Sequence, residues 1–467
     1  MSKTIVNQTV QNSTESSPRL IRMLIGISIA SFLGCIDFTV VNTAIPAIAQ
    51  DMNASIPRVQ WVVSLFLMAL CAFMVTAGRL ADLYGRRRVL YVGMMVFGLS
   101  SLGAGLTESI GVLNGWRFIQ GAACAVLYTV TVTIVADAFP AHQRGRAVGT
   151  LLGVNGLGLA LGPVLGGIVV STLGWRWVFL LNIPLILLSF AFCLGNIRES
   201  RLSEGRPLLD ITGVILLVSA LASLLLGINQ GAEWGWLSYK TLTIITIAIV
   251  LFAAFFRIES RVAAPLVKLS LFRIPAFSIA CLASALLAFF YCAAFFLMPL
   301  YLEGTRHYSG LILGLILLPT TAVMALISPL IGRWMDAAGA RPPLIMGFIA
   351  LALSAGLQAT FTPSSALWII IAAFTLMGIG WGAILSPAAV SALNAVSAEQ
   401  GGSAMGVAWT LHNLGGAMGL AVSSLIYTTF SQGYQSAMLL LVAISVAGLL
   451  AVSWREKQAT AESDRQQ

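Results

Sequence analysis

Apolar residues in this chain collect in long runs, and polar clusters, prolines and nearly all charges fall between them. A helix that crosses about 30 Å of hydrocarbon needs about 20 such residues. Fourteen runs have that length, at approximately 23–45, 59–81, 88–107, 111–136, 147–171, 177–196, 210–228, 241–256, 276–302, 311–331, 343–361, 366–390, 403–430 and 435–454. The eighth, twelfth and thirteenth are the least sharply bounded. Too little polar–apolar alternation is present for membrane-spanning strands, which excludes a β-barrel. The pattern predicts an all-α integral membrane protein with 14 transmembrane helices.

One stretch between runs occurs twice. Gly78 to Arg88 reads GRLADLYGRRR and Gly332 to Pro342 reads GRWMDAAGARP. Gly78, Arg79, Asp82, Gly85 and Arg87 recur at the same offsets as Gly332, Arg333, Asp336, Gly339 and Arg341. Each copy closes one apolar run and precedes the next. A membrane chain that repeats a basic inter-helix loop in its second half reads as two related halves, the organisation of a secondary transporter. Asp82 and Asp336 can cap a helix start and hold a salt-bridged gate closed. These charges also fix topology, although topology alone does not call for Gly and Asp at repeated offsets.

Composition agrees with the pattern: 58% of the 467 residues are hydrophobic and 9% charged, too few charges for a soluble surface. The net charge of +9 invites a nucleic-acid reading, so its placement matters. With the N-terminus inside, 21 of the 26 Lys and Arg lie on cytoplasmic segments. Arg58, Arg176, Lys240 and Arg306 lie outside, and Arg117 lies within a span. The positive-inside rule therefore sets both termini in the cytoplasm, and the basic charge reflects topology rather than nucleic acid. All six cysteines fall in apolar runs without a CxxC pair, as small core residues do. Residues 1–18 read as a polar tail with no cleavable signal peptide, and the last dozen as a second polar tail.

No GxxxxGK[ST] loop occurs, so a pump of this kind must draw on an ion gradient; no other cofactor is implied. Three histidines without clustered acids argue against a metal-dependent enzyme, and no GxSxG elbow is present. A channel would need a filter of carbonyls or a ring of charge, and none is evident.

Asp37 is the only carboxylate deep inside a run, and Arg117 the only deep cation. At 1.5 Å per residue, both lie on the order of 10 Å below the outer surface, level with each other. An intramembrane charge pairs, faces water or takes up a proton. Two readings stay open for this pair: proton coupling, or a structural lock between two helices. In the fifth run, Gly158, Gly162 and Gly166 recur every four residues and present a strip for close helix approach, beside Gly167. Pro163 is expected to bend that helix.

Together these segments resemble the major facilitator superfamily, and within it the fourteen-span drug:proton antiporter family. GRLADLYGRRR is similar to the superfamily's loop between spans two and three, RFIQGAACA to its span-four motif, and GLALGPVLGG to the span-five motif of exporters. DFTVVNTAIP and WRWVFLLNIP are similar to the fourteen-span branch. The loop copies lie 254 residues apart and enclose eight runs, so two extra helices must separate the halves. The resulting expectation is an N-terminal six-helix bundle at 21–197, two linker helices at 198–273 and a C-terminal six-helix bundle at 274–455. Polar tails at 1–20 and 456–467 would flank them. The resemblance implies that Asp37 is a proton or substrate-cation site with Arg117 its partner. It further implies that Gly162 and Pro163 seal the path, and that Asp82, Arg86 and Arg87 form the cytoplasmic gate.

The candidate cavity wall is apolar and aromatic, with Trp61, Tyr291, Trp381, Trp409 and His412 on helices expected to face inward and Asn155 and Asn413 able to hydrogen-bond. The expected function is proton-coupled export of lipophilic or amphipathic compounds across a bacterial cytoplasmic membrane. The alternative is export of an endogenous metabolite such as an anionic siderophore. Protons, lipid and a lipophilic small molecule are the expected partners, and a periplasmic adaptor is a further candidate. The short turn at Ser431 to Tyr434 leaves such an adaptor little to hold.

Overall fold

The computed structural model describes residues 18–199, 209–262, 264–308 and 310–463. Fifteen α-helices carry the chain: α1 (Pro18–Asp51), α2 (Ile56–Tyr84), α3 (Arg86–Leu106), α4 (Ile110–Ala138), α5 (Ala141–Thr172), α6 (Arg176–Leu180), α7 (Asn182–Cys193) and α8 (Ile211–Trp234). There follow α9 (Tyr239–Glu259), α10 (Pro275–Gly304), α11 (Gly310–Ala338), α12 (Arg341–Ala359), α13 (Leu367–Asn394), α14 (Gly401–Thr429) and α15 (Gly433–Ser463). Among the described residues, thirteen spans are long and apolar enough to cross a membrane, with α6 and α7 together forming one of them. The fourteenth, α14, is diluted by Gly, Ser, Thr, His and Asn, yet packs along its length against α10 and α2. Its polar content faces neighbouring protein instead of lipid, which is why hydropathy alone bounds it poorly.

The sixth run is split at Leu181 because Pro184 brings no N–H and crowds the carbonyl of Leu180. The break sets Asn182 at the start of α7 with its side chain turned into the first bundle.

The first six spans and the last six form two bundles that meet along two seams, α2 against α14 and α5 against α11. The remaining two helices, α8 and α9, make a hairpin whose first arm lies on α2 and α14 across one seam. Its turns are capped locally: Asp210 accepts from the Gly213 N–H at 2.9 Å and Ser238 from the Thr241 N–H at 3.3 Å. Both seams are tightest toward the face that carries the repeated loop. There a side chain on Gly78 would strike the Gly402 carbonyl, and one on Gly332 the Gly145 carbonyl. Gly149 and Gly153 continue the second seam against Ser328 and Ala325. Past Gly156 the glycines of α5 turn from α11 to α1, and the interlocking of the two bundles along α5 stops.

Candidate functional site

Three groups of residues occupy the places where chemistry could act. The first lies inside the N-terminal bundle. Asp37 and Arg117 are 1% and 0% exposed, and Arg117 Nη1 donates to Asp37 Oδ2 at 2.5 Å. The second carboxylate oxygen accepts from Asn182 Nδ2 at 3.0 Å and Gln120 Nε2 at 3.2 Å. Arg117 Nη1 also donates to Gln120 Oε1 at 2.7 Å, and its Nε to the Val62 carbonyl at 3.0 Å. The guanidinium lies 4.1 Å over the Phe66 ring. Ser101 accepts from both amides and donates to the Phe179 carbonyl at 2.9 Å. A paired, hydrogen-bonded charge is the form in which an ion pair is tolerated in so dry a place.

Gln120, Asn182 and Ser101 are not singled out by the sequence alone. A signal existed for two of them: Gln120 is three residues from Arg117 on one helix face, and Asn182 sits in WRWVFLLNIP. Asp37 faces α3, α4 and α7 rather than the gap between the bundles.

The second group is the repeated loop. Asp82 Oδ1 accepts from the Gly402 N–H at 2.9 Å, and Oδ2 from the Ser403 N–H at 2.7 Å and its hydroxyl at 2.9 Å. Asp336 accepts from the Gly145 N–H at 2.7 Å and the Arg146 N–H at 2.9 Å. Each half thus places its loop aspartate near the start of a helix of the other half: Asp82 on the second and third residues of α14, where free N–H groups and the helix dipole favour an anion, and Asp336 on the fifth and sixth residues of α5. Arg86, fully buried, donates to Asp137, to the Ala398 carbonyl at 2.5 Å and to Asp82 at 3.3 Å. Arg87 faces Glu199 at 3.5 Å instead, and its backbone N–H donates to the same carboxylate. Arg341 opens α12. Gly85 and Gly339 have φ of 97° and 80°, which L side chains rarely adopt. Asp137 and Glu199 are further members that the loop motif does not reveal.

The strip in α5 packs on α1. Side chains at Gly162 and Gly166 would collide with Thr39 and Thr43, and one at Gly158 would crowd Cys35 and Phe32. Gly167 faces open space and Pro163 is exposed, so neither belongs to that contact.

The third group is a train of rings where the bundles meet. Tyr291 and Trp381 stack at 4.3 Å, and Phe295 meets Trp381 edge-on at 5.8 Å. Trp409 stands edge-on to His412 at 5.1 Å and to Tyr128 of the first bundle at 6.1 Å. Tyr128 in turn bonds Cys35 at 2.8 Å. His412 lies 2.9 Å from the Ser284 hydroxyl and 3.3 Å from the Tyr291 hydroxyl. Asn413 donates to the Trp409 carbonyl and reaches Met74 across the seam. Asn155 is buried on α5, one residue from the Gly156–Met324 contact, with its carbonyl oxygen unpartnered. Trp61 does not join this group. It is half-buried near the start of α2, ten residues and roughly 15 Å from Cys71, which lies beside Thr410.

This architecture is matched by known proteins. The family model of the Major Facilitator Superfamily matches residues 27–420 and, overlapping, 321–466. The chain belongs to the major facilitator superfamily. It is 32% identical over 400 residues to the multidrug resistance protein Stp of Mycobacterium tuberculosis (strain CDC 1551 / Oshkosh), covering 85% of this chain and 74% of that one. It is 30% identical over 399 residues to the tetracenomycin C resistance and export protein of Streptomyces glaucescens, with the same coverage. The riboflavin transporter RibZ of Clostridioides difficile (strain 630) is 28% identical over 417 residues, 89% of this chain and 90% of that one. The fold superposes on the human organic anion transporter MFSD10 with a TM-score of 0.69 at 17% identity, covering 94% of this chain and 100% of that one.

Proposed function

We propose that this chain is a proton-coupled exporter of lipophilic and amphipathic small molecules that works by alternating access. Relatives named for multidrug resistance, and for resistance to and export of tetracenomycin C, support the export of such compounds. The observation that carries the coupling is the enclosed Asp37–Arg117 pair. A proton on Asp37 removes the counter-ion of a fully buried guanidinium, a state that is costly unless the helices rearrange.

A path for that rearrangement runs through α5. Its outer half packs on α1 around Asp37 through Gly158, Gly162 and Gly166. Its other half forms the seam with α11 through Gly145, Gly149 and Gly153. A shift of α1 therefore bears on the seam closed by Asp336, and α2 carries the matching seam closed by Asp82. The distribution of Lys and Arg supports a cytoplasmic loop face with both termini on that side, and the bacterial relatives support a bacterial inner membrane as the setting. The closed loop face then corresponds to an outward-facing form.

Export of an anionic metabolite through Arg117 carries less, because that guanidinium is enclosed and paired within one bundle. The test is substrate accumulation in proteoliposomes under an imposed pH gradient. Uphill accumulation that collapses with a protonophore is expected, and flux that runs downhill only would overturn the proposal.

A further inference from the structure

The ring cluster between the bundles has spent its faces and kept its donors. Trp381 and Trp409 are 3% and 5% exposed, and the indole N–H of each has no hydrogen-bond partner. An indole nitrogen can only donate, and a buried donor left unpaired is costly, so two such groups within one ring cluster call for an acceptor. The ring faces are less available. Trp381 lies flat on Tyr291 with 9° between the planes, and Phe295 abuts it. Trp409 is flanked edge-on by Tyr128 and His412.

The charge around the cluster points the same way. His412 Nδ1 lies 3.0 Å from the Ser284 carbonyl, which can only accept, so Nδ1 carries a proton, and in the neutral ring Nε2 accepts from Tyr291. From 275 to 429 the acidic residues are Glu303, Asp336 and Glu399. Glu303 lies at the end of α10, Glu399 in the loop before α14, and Asp336 in the gate. Asp37 is already held by Arg117, Gln120 and Asn182. Among the described residues, a cation entering this cluster would meet no free carboxylate, and burying it unpaired is costly.

We infer that this cluster selects ligands that carry carbonyl-type acceptors and no positive charge, with the indole N–H groups of Trp381 and Trp409 donating to the ligand. The inference rests on reading the cluster as the transport site proposed above.

The experiment measures equilibrium binding of three probes to the purified full chain in lipid nanodiscs: a neutral dihydroxyanthraquinone, ethidium as a planar cation, and pyrene, which has no hydrogen-bond acceptor. The quinone is expected to bind tightest. Trp381→Phe and Trp409→Phe should each weaken it roughly 3- to 10-fold, the range of one neutral hydrogen bond, and leave pyrene binding unchanged. Equal weakening of all three probes would reduce the tryptophans to packing and overturn the inference, as would ethidium binding as tightly as the quinone. That ranking in the unmodified chain decides the matter alone should either variant unfold. The expected ranking without proton-driven transport would sink the proposed function and leave the binding class standing. Transport that prefers ethidium would sink the inference alone.

Discussion

The carboxylate of Asp82 accepts a hydrogen bond from the main-chain nitrogen of Gly402 at 2.9 Å, 320 residues further along the chain. Asp336 makes the equivalent bond in the opposite direction, onto Gly145. The two copies of the loop are thus reciprocal clasps, each half of the molecule holding the first two turns of a helix of the other. Gly78 and Gly332 let the backbones meet there, and Arg86 ties the first clasp to Asp137 and Ala398.

Removing a clasp should open that face. A side-chain anion bonded to main-chain N–H groups near a helix start contributes about 0.5–2 kcal/mol. Asp82→Asn and Asp336→Asn should each raise the population open at the loop face by about 2- to 30-fold, the factor those energies convert to at room temperature. Spin labels at exposed Arg88 and Ala337 would report a longer distance in a larger share of molecules. An unchanged distance distribution in both variants would mean that the clasps do not set the equilibrium.

The glycine strip predicts a contrast between neighbours. Gly162→Ala drives a methyl into Thr39, and overpacking of this kind costs about 1–3 kcal/mol. Gly167→Ala meets open space. The first should lower the melting temperature and transport, while the second should match the parent. Equal behaviour of the two would remove the α1–α5 contact from the mechanism.

Asn182→Ala withdraws one donor from Asp37 and one from Ser101. Leaving buried acceptors short costs about 1–3 kcal/mol, which should appear as a lower melting temperature. Transport should fall with it in a proton-gradient assay, since Asp37 loses part of its positioning. Unaltered stability and transport would show that the break at Leu181 serves packing alone.

Arg117→Lys keeps the charge and loses the planar fork. Lysine cannot meet Asp37, Gln120 and the Val62 carbonyl at once while lying on the Phe66 ring. Proton-driven accumulation should drop at least tenfold, the factor set by about 1.4 kcal/mol, with the protein still folded by circular dichroism. Parent-like accumulation would mean that any cation suffices there.

The spans and the deep pair were legible because each depends on local composition: 20-residue apolar runs, and single charges inside them. The repeated loop was legible as a spacing. Its contacts were not, since Gly402 and Gly145 lie 320 and 191 residues away and offer only backbone N–H groups, which no side-chain pattern announces. Residues around Asp37 were hidden for a related reason: Gln120, Asn182 and Ser101 are ordinary polar residues until the fold turns them onto one carboxylate. Trp61 shows the converse, an aromatic residue on a central helix but about ten residues too far along it to reach the rings. Pro163 belongs to the motif in sequence and to the exposed side of α5 in space.

The most direct measurement compares the parent chain with Asp37→Asn in proteoliposomes, recording substrate accumulation under a pH gradient beside substrate exchange at equal pH. Proton coupling through Asp37 predicts that the variant still exchanges substrate but no longer accumulates it. Accumulation equal to the parent's would contradict that coupling and make Asp37 and Arg117 a structural lock between α1 and α4.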